Sequence, residues 1–243
     1  MKPRIAVLYA PGTNCHEETV FAIETAGGAA TVVILRDLLT GEERLDDYQG
    51  IVIPGGFSFG DHVAAGRVFA MHLVARFRDE LQSFIESKRP ILGVCNGDQV
   101  LMESGILPGG KVGERIAALT QNASARFESR WVNLIVEDTG SFWTEGLVGK
   151  TLRIPVAHAE GRIYHKPGVD VKAAFLYADA AGKPTESYPE NPAGSPRGIA
   201  GVISPGGNVL GMMPHPERAI LRQHGSTDGL ALFTNMIRYC ESI

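Results

Sequence analysis

The stretch Ile91-Leu92-Gly93-Val94-Cys95-Asn96-Gly97-Asp98-Gln99 runs from four apolar or small residues into a Gly-x-Cys-x-Gly pattern. A nucleophile held on a sharp strand-to-helix turn has this composition. Glycines on either side of Cys95 leave the room that such a turn needs. The start of the helix aims free N–H groups and partial positive charge at the sulfur, which favours the thiolate. The N–H of Asn96 is then placed to donate to a developing oxyanion. A thiol so placed still needs a base, and Met213-Pro214-His215-Pro216-Glu217 can supply it. In extended backbone, residues i and i+2 face the same side, so His215 and Glu217 can share one target. The imidazole takes the thiol proton and the carboxylate behind it fixes the tautomer. Pro54-Gly55-Gly56-Phe57-Ser58 offers unobstructed N–H groups at Gly55 and Gly56, the other half of an oxyanion hole.

These groups must be carried by elements that end at one edge. Ile5–Tyr9, Thr31–Leu35, Gly50–Ile53 and Ile91–Val94 read as strands that are apolar on both faces, each closed by Gly or Pro. Helical spacing over Glu17–Ala26, Arg67–Glu86 and Gly97–Glu103 alternates with them. Such alternation predicts an α/β fold: a doubly wound, mostly parallel sheet with helices on both faces. Ligands bind at the carboxyl edge of such a sheet, where the Gly-Gly turn and the elbow both lie. From about Ala125 the pattern changes to short strands: Trp131–Val136, Leu152–Val156, Ala173–Tyr177, Gly198–Ile203 and Val209–Met213. They read as antiparallel additions in the C-terminal half of one domain spanning 1–243. Asp179–Arg197 reads as a long loop and Gly229–Cys240 as a closing helix.

Composition excludes several classes. With 44% hydrophobic and 21% charged residues the chain has the make-up of a globular protein, not of a disordered tail, fibre or coiled coil. Its 29 glycines in 243 residues exceed the usual ~7% and suggest tight turns and close backbone approach. A net charge of −4 without a basic face argues against nucleic acid. No run of ~18 apolar residues suggests a membrane span, and the N-terminal apolar run is too short for a signal-peptide core. Three scattered cysteines, Cys15, Cys95 and Cys240, suggest reduced thiols and a cytoplasmic setting. Cys15-His16 lacks flanking elbow glycines and is set aside as a nucleophile–base pair. Gly149-Lys150-Thr151 lacks the preceding strand and glycine of a phosphate loop. His158-Ala159-Glu160 has the spacing that opens a zinc deaminase signature, but no Cys-x-x-Cys accompanies it, and no metal site is expected.

Taken together, these residues resemble the class I glutamine amidotransferases. Gly12-Thr13-Asn14-Cys15, Gly55-Gly56-Phe57-Ser58-Phe59-Gly60-Asp61, Arg126-Phe127-Glu128-Ser129-Arg130, Asn191-Pro192-Ala193-Gly194-Ser195 and Met212-Met213-Pro214-His215-Pro216-Glu217-Arg218 narrow the resemblance. It is to the glutaminase components of phosphoribosylformylglycinamidine synthases, over about residues 4 to 240. The resemblance implies hydrolysis of glutamine to glutamate and ammonia through a cysteine thioester, with Cys95 the nucleophile, His215 the base and then acid, and Glu217 its orienter. Gln99 matches a position that helps to hold glutamine. The ammonia would pass to an ATP-dependent synthetase subunit in de novo purine synthesis, with a small accessory subunit as a further partner. ATP and Mg are expected on the synthetase, and no cofactor on this chain. The free chain is expected to be weakly active, with docking turning the Gly55–Gly56 peptide to complete the oxyanion hole. Asp98, where the family often has an aromatic or cysteine, and Ala159, where glycine is usual, depart from the pattern. Two alternatives are another elbow-cysteine hydrolase, such as a peptidase or deglycase-like enzyme, and a regulatory module of the same fold.

Overall fold

Ile5 and Val7 face one way along the first strand while Ala6 and Leu8 face the other, and all four are buried. A strand apolar on both faces needs cover on both, and the computed structural model, which describes residues 1–243, supplies it. The strands are β1 (Arg4–Tyr9), β2 (Ala29–Ile34), β3 (Gly50–Ile53), β4 (Ile91–Val94), β5 (Ala117–Thr120), β6 (Glu128–Val136), β7 (Thr151–His158), β8 (Arg162–His165), β9 (Ala173–Ala178), β10 (Ile199–Ile203) and β11 (Val209–Met212). The helices are α1 (His16–Thr25), α2 (Leu35–Thr40), α3 (Arg67–Glu86), α4 (Asn96–Glu103) and α5 (Leu230–Ser242). Nine strands form one sheet in the order β2-β1-β3-β4-β11-β10-β9-β6-β7. From β2 to β11 the neighbours are parallel, and from β11 to β7 they are antiparallel. The mostly parallel sheet with antiparallel additions is thus the architecture present.

One face of the sheet packs α1 and α5 through Ala22, Ile23, Leu232, Phe233 and Met236. The other packs α3 and α4 through Phe69, Leu73, Phe84, Val100 and Leu101. No helix is long and apolar enough to cross a membrane. The decisive pairing is β4 with β11, in the register Ile91↔Val209 to Val94↔Met212. It sets the residues that follow these two strands, Cys95 and Met213-Pro214-His215, side by side at one edge.

Several elements depart from the sequence reading. Leu35 does not end β2 but begins α2, a six-residue helix too short to show a period, with Leu35 and Leu38 buried. Strands β5 and β8 were not expected. At four residues each they form a separate antiparallel pair, and neither shows a clean alternation. Strand β6 starts at Glu128, three residues before the expected Trp131, because its polar first residues pair with the end of β7 at His158.

Candidate active site

Cys95 closes β4 and caps α4 with φ 52° and ψ −106°, a conformation that L residues avoid. The fold holds it there by glycines that nothing else could replace. A side chain on Gly97 would overlap the carbonyl oxygen of Ile53, and one on Gly93 would meet Leu101 and the carbonyl of Gly97. Such strain persists only where the surroundings impose it, and it concentrates at sites of chemistry. Backbone bonds fix the two strand ends: the N–H of Cys95 donates to Met212 O at 2.8 Å, and that of His215 to Pro155 O at 2.8 Å.

The His215 Nδ1 and Glu217 Oε1 lie 2.6 Å apart, with both residues buried. Nδ1 therefore donates to the carboxylate, and Nε2 is left without a partner. Burial alone would lower the pKa of His215. The charge of Glu217 and the two thiols facing the ring, Cys95 and Cys15, more than reverse this and hold it well above the ordinary histidine range. His215 and Glu217 thus meet through a 3-10 turn over Pro216–Arg218 and not along the extended backbone expected, and Cys95 lines the same cavity as His215. One residue was missed. Cys15 was set aside in the sequence, yet its Sγ lies within 4.8 Å of donor atoms of both His215 and Glu217. Burial pushes its thiol pKa up against the pull of His215, and Arg218 Nη2 donates to the sulfur at 3.1 Å. Its place after β1 at the carboxyl edge was the available signal. Cys15, His215 and Glu217 are the one group with the donor types of a metal site. The Nδ1 of that histidine and an oxygen of that carboxylate are already joined to each other.

Segment 12–15 clasps the Gly-Gly turn. The carbonyl of Gly55 accepts the N–H groups of Asn14 at 3.3 Å and Cys15 at 3.1 Å, and Phe57 N–H donates to Gly12 O at 2.9 Å. The N–H of Gly56 donates to nothing within the chain, and α4 offers no partner to the N–H of its first residue, Asn96. Both are therefore free to meet an oxyanion. The N–H of Gly55 likewise donates to nothing within the chain, and the residue has a second part to play. Its missing side chain leaves room for His215 Cε1, Cys15 Sγ and Cys95 Cβ, which lie 2.8, 3.0 and 3.5 Å from where a Cβ would stand. Gln99 has both ends engaged: its Oε1 accepts from Asn96 Nδ2 at 3.0 Å, and its Nε2 donates to Glu160 O at 2.7 Å. It holds the wall of the site. Asp98 lies outside the site altogether, fully buried against Gly211 of β11.

Two small cavities meet at Cys95 and share Gly56, Phe57, Phe127 and Ala157. One, of about 60 Å³, reaches Asp61, Gln99, His158 and Glu160. The other, of about 110 Å³, reaches Asn14, Cys15, His215 and Arg218. A larger hollow of about 620 Å³ beside Arg67, Arg78 and Arg115 has no nucleophile and lies away from this chemistry.

Residues 2–240 match the family model described as the CobB/CobQ-like glutamine amidotransferase domain. The chain is 44% identical to phosphoribosylformylglycinamidine synthase subunit PurQ of Pyrococcus furiosus, over 98% of this chain and 99% of that protein. It is 38% identical to the subunit of that name from Dehalococcoides mccartyi, over 100% and 99%. Among solved structures it is similar to a chain of PurLQS from Thermotoga maritima, with TM-score 0.81, 36% identity, and coverage of 98% and 99%. With a match that spans nearly every residue, and a cysteine elbow facing a His–Glu pair across adjacent strand ends, the chain belongs to the CobB/CobQ-like glutamine amidotransferase family.

Proposed function

We infer that the chain is the glutaminase component of phosphoribosylformylglycinamidine synthase. It hydrolyses glutamine to glutamate and ammonia, and it works as one domain over residues 1–243 in the cytoplasm beside a synthetase subunit and a small accessory subunit. The observation that carries the mechanism is the strained Cys95 elbow beside the 2.6 Å His215–Glu217 bond. The Cys95 thiolate attacks the side-chain amide carbon, and the oxyanion meets the N–H groups of Gly56 and Asn96. His215, held protonated by Glu217, gives its proton to the departing ammonia. It then takes a proton from water, which releases glutamate from the thioester. The ATP-dependent step and its Mg belong to the synthetase, and the acid and base chemistry here needs no metal beyond these side chains. No cation borders the cavity beside Gln99, so a phosphorylated substrate has no seat there.

The test is peptide mapping after treatment with a glutamine-analogue electrophile, together with Cys95→Ser in the assembled complex. The label is expected on Cys95 and not on Cys15 or Cys240. Synthesis from glutamine should disappear in the variant while synthesis from free ammonia persists. A label on Cys15 would overturn the assignment of the nucleophile.

A further inference from the structure

The mechanism leaves one buried nucleophile unused. Cys15 follows β1 and caps α1, as Cys95 follows β4 and caps α4, so both cysteines stand at helix N-termini. In the sheet β3 runs between β1 and β4, and the turn after it brings Gly55 between the two cysteines. Gly55 has no side chain to separate them. The spot where its Cβ would stand is 3.0 Å from Cys15 Sγ and 3.5 Å from Cys95 Cβ. Both cysteines border the cavity of about 110 Å³, and both thiols face the ring of His215.

The two thiols differ in what they can meet. Cys95 borders both cavities, so a small solute reaches it from either one. Cys15 is 1% exposed, its S–H donates to Asn14 Oδ1 at 3.1 Å, and Arg218 Nη2 donates to its sulfur at 3.1 Å. Burial keeps this thiol protonated and so slow toward solutes, because the thiolate is the reactive form. The guanidinium of Arg218 is in place to stabilise the sulfur once its proton leaves. A reachable thiol beside a protected one is the arrangement of an oxidisable cysteine and its resolving partner.

We propose that Cys15 is the resolving thiol of Cys95, so that a hydroperoxide closes the pair into a disulfide and stops glutamine hydrolysis reversibly. The stop rests on the glutaminase reading, while the cross-link does not. In the first step the Cys95 thiolate attacks one peroxide oxygen and the O–O bond breaks. The other oxygen leaves as water with the proton of His215, and Cys95 becomes a sulfenic acid, oxidised by two electrons. In the second step the Cys15 sulfur attacks that of Cys95. The S–O bond breaks, the hydroxyl leaves as water with the Cys15 proton, and the S–S bond forms. A disulfide brings its two Cβ atoms to about 3.5–4.5 Å, and the space that Gly55 leaves is where the sulfurs meet. A dithiol reductant returns both thiols.

The test treats the full chain with its synthetase partner with hydrogen peroxide, quenches with catalase, and assays before and after dithiothreitol. The wild type should lose synthesis from glutamine, keep synthesis from free ammonia, and regain most of its starting rate with dithiothreitol. Peptide mapping without reductant should join the Cys15 and Cys95 peptides and leave Cys240 free. Cys15→Ser, read against its own untreated rate, should lose activity too but regain little of it, since Cys95 then passes on to the sulfinic acid. If that variant fails to fold, the wild-type peptide map carries the test. An oxidised wild type without the joined peptides, or a folded Cys15→Ser that recovers as fully as the wild type, would overturn the resolving role. Joined peptides in a chain that never hydrolyses glutamine would overturn the glutaminase reading and leave the thiol pair standing.

Discussion

At the scale of single residues, His215 is pulled in two directions. Burial favours the neutral ring, while Glu217 at 2.6 Å favours the charged one and wins. His215→Ala should therefore cost ~10²–10⁴-fold in glutamine turnover, the usual range for positioned acid–base help. Glu217→Gln should cost less, since the base survives. Because this variant removes the largest upward pull, the pKa of His215 should fall. The alkaline limb of kcat against pH, where His215 must stay protonated to serve the leaving ammonia, should then move to lower pH. A limb that stays in place would contradict the orienting role. Asp98 gives a second pH signature. It is fully buried, and burial raises its carboxyl well above the ordinary value, so the folded state keeps it neutral. Unfolding frees it to ionise above about pH 4, so its contribution destabilises the fold progressively as pH rises toward the folded pKa. Asp98→Asn should raise the Tm at pH 7 to 8, with no gain near pH 3, and the advantage should grow by at most about 1.4 kcal/mol per pH unit. Cys95 was legible because the elbow pattern is local, whereas His215 and Glu217 meet through a 3-10 turn over Pro216–Arg218 and not through the extended backbone that their spacing suggested. Cys15 was not legible, because its partner Arg218 is 203 positions away in sequence and nothing local announces it.

At the scale of elements, the clasp of segment 12–15 on the Gly55–Gly56 turn bears on the switching expected there. Turning that peptide would break the bonds from Asn14 and Cys15 to Gly55 O. Each typical hydrogen bond contributes about 0.5–1.5 kcal/mol net, an amount that a docking partner can offset. If docking governs the turn, titrating the free chain with synthetase subunit and its nucleotides should raise the glutaminase rate, by up to ~10²–10³-fold for one restored oxyanion donor. A free chain already at the full rate would mean that the clasp holds the turn ready at all times. The buried parallel strands and the long helices were legible from apolar runs and helical period, since β3 and β4 are buried at every position and α3 has the expected bounds. The six-residue α2 and the strands β5 and β8 were not. Elements that short carry too few residues for a period, and tertiary pairing decides them.

At the scale of the whole molecule, strand order was the part least visible beforehand. The doubly wound character followed from alternation of elements. Nothing in composition said that the last strand, β11, would lie between β4 and β10. That insertion joins the two halves of the chemistry, since the nucleophile ends the fourth strand and the base follows the eleventh. Contacts between residues so distant in sequence form late, because loop closure must be overcome before they contribute. The same insertion has a bearing on synthesis. A polypeptide growing from its N-terminus has Cys95, its glycines and the clasp complete long before His215 exists. Only when β11, paired with β10 across a short turn, lies against β4 does the sulfur gain its base. A chain grown only as far as β10 thus holds its nucleophile without a base, and is chemically silent toward glutamine.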